Sequence, residues 1–267
     1  TEAKDYRQAC FWATPCGRGC SIGAAFQSTT SLLPWANNTG NLKIVTDAMV
    51  REVHLDDEGN ASGVTFVNKT SGEDVRIDGE HIILAASACE TARLLLNSKS
   101  EAFPNGLANS SGQVGRNLTD SLGAGISGYI PALRDRPRYN EDGHSGNHLY
   151  IPWWDREGQK NGSLNFSRGY HFEVGARFSS PGMGVAGRVD GYGKAAKDDV
   201  RSNYGTGIGL SLRGEMLVSD DCYCEIDDEV ADQWGIPVLK FHWKWSEQEI
   251  NQVAHGLEWG KKIIEAM

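Results

Sequence analysis

The stretch EHIILAASACETARLLLNS, residues 80–98, decides the fold of this chain. It opens with the apolar run 82–86, whose length and composition predict a strand buried on both faces. Three small residues follow, and strong helix formers from Glu90 onward predict a helix. A strand that passes through small residues into a helix lets backbone N–H groups approach a ligand closely. An ordinary βα unit, with small residues for packing, explains the same spacing.

The residues before this stretch predict a series of short strands joined by turns. β-branched residues mark strands at 42–55, 61–68 and 74–78, and polar and glycine residues mark turns at 56–59 and 70–72. Further upstream, a helix is predicted at 22–33 and ended by Pro34. A β-meander therefore leads into the predicted buried strand.

The residues after it change in composition near residue 122, where glycine and aromatic residues become frequent. Strand patterns at 125–130, 205–212, 216–226 and 238–245 predict an antiparallel sheet. The last segment predicts a helix, because Ser246 and Glu249 form a capping box. One face of this helix carries apolar residues at helical spacing, interrupted by Gly260: Ile250, Val253, Leu257 and Ile264.

Length and charge exclude several classes of protein. The 267 residues, 39% of them hydrophobic, are enough to bury a core. The formal charge of −9 and the lack of basic patches argue against a nucleic-acid partner. No run approaches the roughly 18 apolar residues of a transmembrane helix, and the first residues, TEAKDYRQAC, do not form a signal peptide.

Three of the six cysteines are clustered as Cys10, Cys16 and Cys20. Their spacing matches no standard set of metal ligands, so we assign no residue as a metal ligand. A local disulfide, buried thiols and an iron–sulfur cluster all remain open for this group. Cys222 and Cys224 lie on one face if they belong to a strand, and packing explains them.

Five segments, in this order, resemble the glucose–methanol–choline (GMC) family of flavin oxidoreductases. They are CGRGCSIGAA, TGNLKIVTDAMVREV with ASGVTFVN, IILAASACETARLLLNS, SSGQVGRNLTDS and DEVADQWGIPVLKFHWKWSEQEI. The first of these is similar to members that act on sugars and sugar acids. The resemblance covers nearly the whole chain and is weakest over residues 133–205.

The resemblance implies that the chain binds FAD through two segments. Ala48, Met49 and Val50 match the family's A-x-V strand, whose backbone contacts the adenine, with Val50 as the first candidate. Ala86, Ser87 and Glu90 match the turn beside the flavin, although Ala88, Cys89 and Thr91 depart from the small residues and proline of many members. The loop at 115–118 resembles one that packs near the cofactor; a purely structural loop is an equal alternative.

Two features of the family are missing from this sequence. There is no G-x-G-x-x-G fingerprint for the FAD pyrophosphate, and no segment matches the family's catalytic histidine with its histidine or asparagine partner. We therefore assign no catalytic residue in this chain and expect a central-to-C-terminal fragment. Of its histidines, His242 is expected in a core and His255 on the polar side of the last helix, while His54 and His81 flank strands.

Aromatic residues in the middle of the chain offer a sugar-binding interpretation. Trp153 and Trp154 form one group, and residues 168–171 (RGYH) form another, each with neighbouring donors. His144, His148 and His171 lie in the same predicted domain and are candidates for a substrate role. Aromatic faces stack on the C–H faces of sugar rings while the donors bind hydroxyls. Tryptophan and tyrosine also fill protein cores, which is the alternative.

Taken with the resemblance, the sequence predicts α/β and α+β architecture: a partial, Rossmann-like FAD-binding domain with a β-meander (1–122), an antiparallel-sheet substrate domain (123–245) and a helix returning to the FAD domain (246–267). The expected activity of the whole protein is oxidation of CH–OH groups of sugars, polyols or other alcohols by hydride transfer to FAD. Its expected partners are that substrate and an electron acceptor, namely a quinone, a cytochrome or oxygen. A non-catalytic carbohydrate-binding or scaffold protein on the same fold is the alternative.

Overall fold

The structure, a computed structural model, describes residues 7–11, 16, 19–134, 149–177 and 191–267. The chain divides into two compact units. The meander unit contains Ile44–Asp120 and Met216–Trp245, and the sheet unit contains Thr1–Lys43, Ser121–Glu215 and Ser246–Met267. Helices and antiparallel sheets occur together, as the fold-class prediction requires. The prediction of three domains with boundaries at residues 122 and 245 stays a prediction.

The meander unit is built on three antiparallel strands in the order β1-β2-β3. They span Ala48–Leu55, Ala61–Asn68 and Asp74–Asp78, so the second and third predictions are confirmed residue for residue. The first strand was predicted to begin at residue 42 but begins at Ala48. Asp47 has a φ of 53°, a left-handed conformation that interrupts an extended strand.

The predicted buried strand at 82–86 is wrong. No strand is assigned to these residues, which are irregular up to helix α2, Ser87–Asn97. Ile82 and Leu84 pack against the apolar cluster of Val53, Leu94 and Leu107, whereas Ile83 is 87% exposed. A strand buried on both faces needs cover on both sides. The described residues cover this segment on one side, so the alternation of buried and exposed residues follows.

A hairpin of β8 (Tyr223–Ala231) and β9 (Pro237–His242) completes the meander unit and is antiparallel, as predicted. Its first strand begins later than the predicted residue 216, because residues 219–222 form a turn in which the N–H of Cys222 donates to the carbonyl of Ser219 at 3.1 Å. Helix α2 packs against β1, β8 and β9.

The sheet unit contains four antiparallel strands in the order β4-β7-β6-β5. These are Ser121–Tyr129 (β4), Leu149–Ile151 (β5), Tyr170–Arg177 (β6) and Gly207–Glu215 (β7). Alternate residues on each strand point to opposite faces. One face buries Leu122, Phe172, Leu210 and Leu212, each at most 1% exposed. The opposite face carries glycine, serine and charged residues.

The last helix, α5 (Glu247–Glu265), packs on β4 and β7 and begins with the predicted capping box of Ser246 and Glu249. The apolar positions of this helix do not form its buried face, since Ile250 and Leu257 are 54% and 38% exposed. The buried helix residues are Glu249, Gln252, Gly256 and Gly260. A Cβ at Gly256 would lie 1.8 Å from Leu212 Cδ1, so the missing side chain lets the helix approach the apolar sheet.

Shorter helices complete the sheet unit. A π-helical turn at Ser28–Leu32 runs into α1, Leu33–Asn38, and the remaining helices are α3 (Arg156–Asn161), α4 (Gly193–Asn203) and a 3-10 turn at Pro131–Leu133. The prediction that Pro34 ends a helix is wrong, because Pro34 lies in the first turn of α1. Proline lacks an N–H, and the first turn of a helix has no acceptor for that group.

Candidate functional site

The predicted adenine-contacting residues lie at the start of β1. Ala48 pairs with Asn68 and Val50 with Phe66, and β2 is the single strand neighbour of β1 in the described part of the chain. An edge strand presents backbone donors and acceptors on its outer side. Val50 is 38% exposed, and a register shift follows it. This edge has the chemistry needed to contact an adenine through its backbone.

The second predicted group lies at the start of α2. Ala86 occupies the N-cap position without a side-chain hydrogen bond, and Ala86, Ser87 and Ala88 are exposed. Ser87 has a φ of 69°, which is unusual for a residue other than glycine. The first N–H groups of a helix attract negative charge and electron-rich atoms. Their exposure leaves the start of α2 able to donate hydrogen bonds to a cofactor.

Both predicted groups belong to the meander unit, and α2 is joined to β1 near its other end. Ser98, which follows the helix, accepts a hydrogen bond from the N–H of Val53 at 3.0 Å and donates to the carbonyl of Leu94 at 2.7 Å. This buried serine fixes the helix on the strand. The assignment of Ala48, Met49, Val50, Ala86, Ser87 and Glu90 to a cofactor site stays a prediction.

Arg93 holds the same helix on the hairpin, and the sequence reasoning missed it. Its guanidinium donates to the carbonyls of Pro237 and Ile236 at 2.8 and 2.9 Å and to Asp232 Oδ2 at 2.8 Å. Glu90 contacts it from the preceding turn at 3.3 Å. The signal in the sequence was an arginine directly before three leucines, where an unpaired charge would be costly to bury.

We call the contacts of Arg93 with Asp232, Ile236 and Pro237 the Arg93 clamp. The electrostatics of this clamp favour the charged form of the Asp232 carboxyl group. Partial burial by itself raises the pKa of the carboxyl group, but hydrogen bonds from Arg93 and from the N–H groups of Ile236 and Trp234 outweigh it. The pKa of Asp232 therefore lies below its usual value. The clamp is an ion pair at neutral pH and positions α2 through its C-terminal half.

The loop at 115–118 is bound to β8. The carbonyl of Gly115 accepts from Cys224 N–H at 2.8 Å, and Leu118 N–H donates to the carbonyl of Cys222 at 2.8 Å. A Cβ at Gly115 would lie 2.3 Å from the carbonyl oxygen of Cys224, so this close approach requires glycine. The Arg116 guanidinium lies over the Tyr223 ring at 4.2 Å. These contacts give the loop a structural role within the unit.

An apolar cleft of about 330 Å³ also lies in the meander unit. It is lined mainly by Val53, Leu55, Ile82, Leu84, Leu95, Phe103 and Leu107. None of its lining residues carries a titratable side chain. The cleft can bury apolar groups, but it offers no acid, base or nucleophile for catalysis.

In the sheet unit the two aromatic groups of the sequence form one cluster. Trp153 lies 4.9 Å from Tyr170, and Trp154 lies 5.6 Å from Trp259 of α5, both measured between ring centroids. Gly169 makes room for Trp153, whose Cγ would be 2.9 Å from an added Cβ. Tyr170 is buried, and its burial raises its pKa well above the usual range. Tyr170 is therefore part of the core, whereas Trp154 and Trp259 are 37% and 36% exposed.

His255 belongs to this cluster, so the prediction that it lies on the polar side of the helix is wrong. Trp259 Nε1 donates to His255 Nε2 at 3.0 Å, and Tyr170 Oη lies 2.8 Å from Nδ1. Since an indole N–H can only donate, Nε2 is the acceptor and the proton of the neutral ring is on Nδ1. Burial lowers the pKa of His255 more than nearby Glu258 and Asp155 raise it.

The other histidines occupy polar positions. His242 is not in a core as predicted: its Nε2 lies 2.9 Å from Glu225 Oε1, and its ring stacks on Tyr223 at 4.2 Å. His54 contacts Thr65 Oγ1 at 2.6 Å, and His81 is exposed. His171 lies on the face of the sheet opposite its sequence neighbour Tyr170. His144 and His148 lie outside the described residues.

The clustered cysteines form no metal-binding group with other side chains of the described residues. Cys20 is a thiol that accepts hydrogen bonds from the N–H groups of Ala25 and Ala24 at 3.4 and 3.1 Å. These bonds favour the thiolate and lower the pKa of Cys20. Among the described helices, none has both the length and the apolar character needed to cross a bilayer.

Comparisons with known proteins show similarity to one family of oxidoreductases. Residues 2–122 match the family model for GMC oxidoreductases. A 2-methyl-1,2-propanediol dehydrogenase from Mycolicibacterium austroafricanum is 26% identical over 83% of the chain and 39% of its own length. A paromamine 6'-oxidase from Streptomyces fradiae is 28% identical over 93% of the chain and 42% of its own length.

A shorter match, to the fructose dehydrogenase large subunit of Gluconobacter japonicus, is 31% identical over 46% of the chain. The chain spans about two fifths of the length of the relatives that match most of it. The matched family model describes the FAD-binding domain of this flavoprotein family. The matched residues of the chain contain the three meander strands, β1 to β3, and the helix α2. The comparisons therefore support a GMC-type oxidoreductase.

Proposed function

We propose that the whole protein oxidises a CH–OH group of a sugar, a polyol or another alcohol, with FAD as the hydride acceptor. One observation carries this proposal: the family match at residues 2–122 is accompanied by relatives that are dehydrogenases and oxidases along nearly the entire chain. Their names specify 2-methyl-1,2-propanediol, paromamine and, for a 23% identical flavoprotein from Pantoea cypripedii, gluconate.

The residues of the meander unit fit FAD through backbone chemistry. The outer edge of β1 at Ala48–Val50 supplies donors and acceptors for the adenine, and the exposed N–H groups at the start of α2 would face the flavin. Bound FAD would take up the hydride from the carbinol carbon. The Arg93 clamp and Ser98 would keep α2 and β1 in fixed positions during this reaction.

The catalytic base and the electron acceptor are separate questions. We assign no catalytic residue among residues 1–267. The acceptor of electrons from the reduced cofactor is proposed to be a quinone, a cytochrome or oxygen.

The proposed domains are a partial FAD domain at residues 1–122, a substrate domain at residues 123–245 and a helix at residues 246–267 that returns to the FAD domain.

The activity is tested on the protein produced from its complete coding sequence. The purified protein should show a flavin absorbance spectrum, and anaerobic addition of an alcohol substrate should bleach it. A panel of 2-methyl-1,2-propanediol, fructose, gluconate and paromamine samples the classes suggested by the relatives. A protein that holds no flavin, or holds flavin that neither these compounds nor other alcohols reduce, contradicts the proposal and favours a carbohydrate-binding protein.

The role of α2 is tested by a pair of isosteric substitutions. Ala86→Asp places a carboxylate beside the exposed N–H groups, which stabilises the helix by about 0.3–1 kcal/mol but repels an electron-rich cofactor. Ala86→Asn adds the same volume without the charge. We expect loss of FAD on gel filtration from the aspartate variant and retention by the asparagine variant. Equal FAD retention in both would exclude close contact between this turn and the cofactor.

A further inference from the structure

The strand β1 carries an irregularity directly after the residues that are proposed to contact the adenine. Val50 pairs with Phe66 and Glu52 pairs with Thr65, which is the adjacent residue of β2, so Arg51 is an extra residue on β1. One extra residue on one strand of an antiparallel pair is a β-bulge, and it bends and twists the strand locally. The strand β1 therefore changes direction directly after Val50.

The hydrogen-bond pattern shows which backbone groups face the open edge of β1. Successive pairs in an antiparallel ladder alternate between hydrogen-bonded and non-hydrogen-bonded pairs. Lys69 N–H donates to the carbonyl of Asp47 at 2.8 Å. The next pair, Ala48 with Asn68, is therefore non-hydrogen-bonded, and so is the pair that contains Val50. The N–H and C=O groups of Ala48 and Val50 point away from β2.

The open part of this edge is short. Beyond the bulge, the N–H of Val53 donates to Ser98 Oγ at 3.0 Å, so the edge there is joined to the end of α2. At the other end, Asp47 has a φ of 53° and interrupts the extended backbone. Only residues 48–50 are left open, and a bulge protects an edge against the addition of another strand. An edge of this length suits a small planar ligand better than a strand.

The groups on the open edge select the class of ligand. Val50 is 38% exposed and presents one backbone donor and one backbone acceptor on the same side of the strand. Adenine carries the complementary pair, an amino donor beside a ring-nitrogen acceptor, whereas the corresponding edge of guanine carries two acceptors. The edge therefore fits a 6-aminopurine, provided that the strand aims these two groups correctly.

An ion pair holds the bulge residue from across the sheet. Arg51 Nη1 lies 3.0 Å from Asp74 Oδ2 and 3.2 Å from Oδ1, and Asp74 is the first residue of β3. The contact spans β2, because β3 pairs with β2 and not with β1. The two side chains are 35% and 52% exposed, and exposed ion pairs contribute little to stability. Its main effect is to fix the direction of β1 at the bulge.

Resting on the proposed function, we propose that Arg51 and Asp74 are positioning residues for the adenine of FAD. The bulge at Arg51 aims the N–H and C=O groups of Val50 at the edge of the purine ring, and Asp74 fixes the bulge. Both residues act through the backbone of Val50 and not by contact with the cofactor.

The first experiment compares FAD with FMN, which lacks the adenosine, on the complete protein stripped of flavin. Quenching of flavin fluorescence measures both dissociation constants. Asp74→Asn keeps the size of the side chain but removes the ion pair, and should weaken FAD binding about threefold with FMN binding unchanged. The matched control is Asp78→Asn, which breaks the exposed pair with Arg76 on the same strand and should leave both affinities unchanged.

Deletion of Arg51 tests the bulge itself. The pairs of Val50 with Phe66 and of Glu52 with Thr65 already follow each other on β2, so the shortened strand can keep both. We expect thermal stability close to that of the unmodified protein, about tenfold weaker binding of FAD and unchanged binding of FMN. A ratio of FAD to FMN affinity that neither variant changes overturns the inference, and so does an equal loss of both ligands.

Reduction of the flavin separates this inference from the proposed function. If an alcohol bleaches the flavin while both variants keep the original preference for FAD over FMN, the oxidoreductase proposal stands and the positioning role is excluded. If the preference for FAD depends on Arg51 and Asp74 but no alcohol reduces the flavin, the positioning role stands and the oxidoreductase proposal fails.

Discussion

At the scale of single residues, Ser87 carries a backbone conformation that its side chain disfavours. Its φ of 69° lies in the left-handed region, at the first residue of the helix α2 that is proposed to face the cofactor. Strain of this kind persists where the surrounding structure enforces it, and it is frequent in functional turns. At Ser87 the tertiary structure imposes a positive φ, whereas a serine residue prefers a negative φ.

The strain at Ser87 predicts opposite effects for two substitutions. Ser87→Gly should raise the free energy of unfolding by about 1 kcal/mol, and Ser87→Val should lower it by about 1–2 kcal/mol, because a β-branched side chain is least compatible with positive φ. Urea denaturation followed by circular dichroism measures both. Ala88→Gly is the control, since glycine at an ordinary helical position should destabilise; the same sign for both glycine variants would contradict the interpretation.

Asp232 makes the clamp sensitive to acid. Its carboxylate has a lower pKa in the folded protein than in the unfolded chain, so its stabilising effect is complete above the ordinary value of about 3.8 and is lost as the pH falls through the lower, folded value. Asp232→Asn should therefore cost about 2 kcal/mol at pH 7 and progressively less in acid.

Denaturation curves recorded between neutral and acidic pH measure this difference. The comparison is Asp198→Asn, which removes an exposed helical ion pair with Arg201. Its free energy of unfolding should change with pH in the same way as that of the unmodified protein. If the free energy of unfolding of Asp232→Asn shows the same pH dependence as that of the unmodified protein, the ion pair with Arg93 does not stabilise the fold.

At the scale of elements, the last helix shows that close approach and apolar character are different requirements. The residues at apolar spacing include Ile250 and Leu257, which are exposed, whereas Gly256 and Gly260 lie against the sheet. Gln252 is fully buried and donates to the carbonyl of Arg168 at 2.7 Å. The sheet provides the apolar side chains of this interface, and the glycines of the helix leave room for those side chains.

This packing predicts that Gly256→Ala destabilises the protein, although alanine is the better helix former by about 1 kcal/mol. The added Cβ would lie 1.8 Å from Leu212 Cδ1, and Leu212 is 1% exposed, so its side chain has little room to move. We expect a net loss of about 1–3 kcal/mol in thermal or urea denaturation.

A double-mutant cycle checks the cause of that loss. In the background Leu212→Ala the clash is absent, and Gly256→Ala should become neutral or stabilising. Equal losses in the two backgrounds would show that the glycine is needed for another reason.

At the scale of the whole molecule, the residues proposed to contact FAD belong to one of the two units. The β1 edge and the start of α2 both lie in the meander unit. Each unit is assembled from segments that are distant in the sequence, because Met216–Trp245 joins Ile44–Asp120. The net charge of −9 disfavours a nucleic-acid partner.

Cofactor binding at this scale predicts a change in overall stability. For the complete protein stripped of flavin, FAD at about one hundred times its Kd should raise the free energy of unfolding by about 2.7 kcal/mol. FMN, which lacks the adenosine that β1 is proposed to contact, should give a smaller increase. Thermal denaturation measures both; equal increases would exclude an adenine contact at Ala48–Val50.

The sequence by itself determined the features that depend on neighbouring residues. The strands at Ala61–Asn68 and Asp74–Asp78, their turns and the capping box at Ser246 follow from local preferences that tertiary contacts do not oppose. The order of motifs also indicated a resemblance to the GMC family, whose model matches residues 2–122.

The tertiary structure alone decided which residues meet across the fold. It separated Tyr170 from His171, because successive strand residues point to opposite faces, and it paired Arg93 with Asp232 across 139 positions. It also left residues 82–86 without a strand partner in the described part of the chain and buried the glycine face of the last helix. Long-range burial and hydrogen bonding determine these features, and a local pattern cannot encode them.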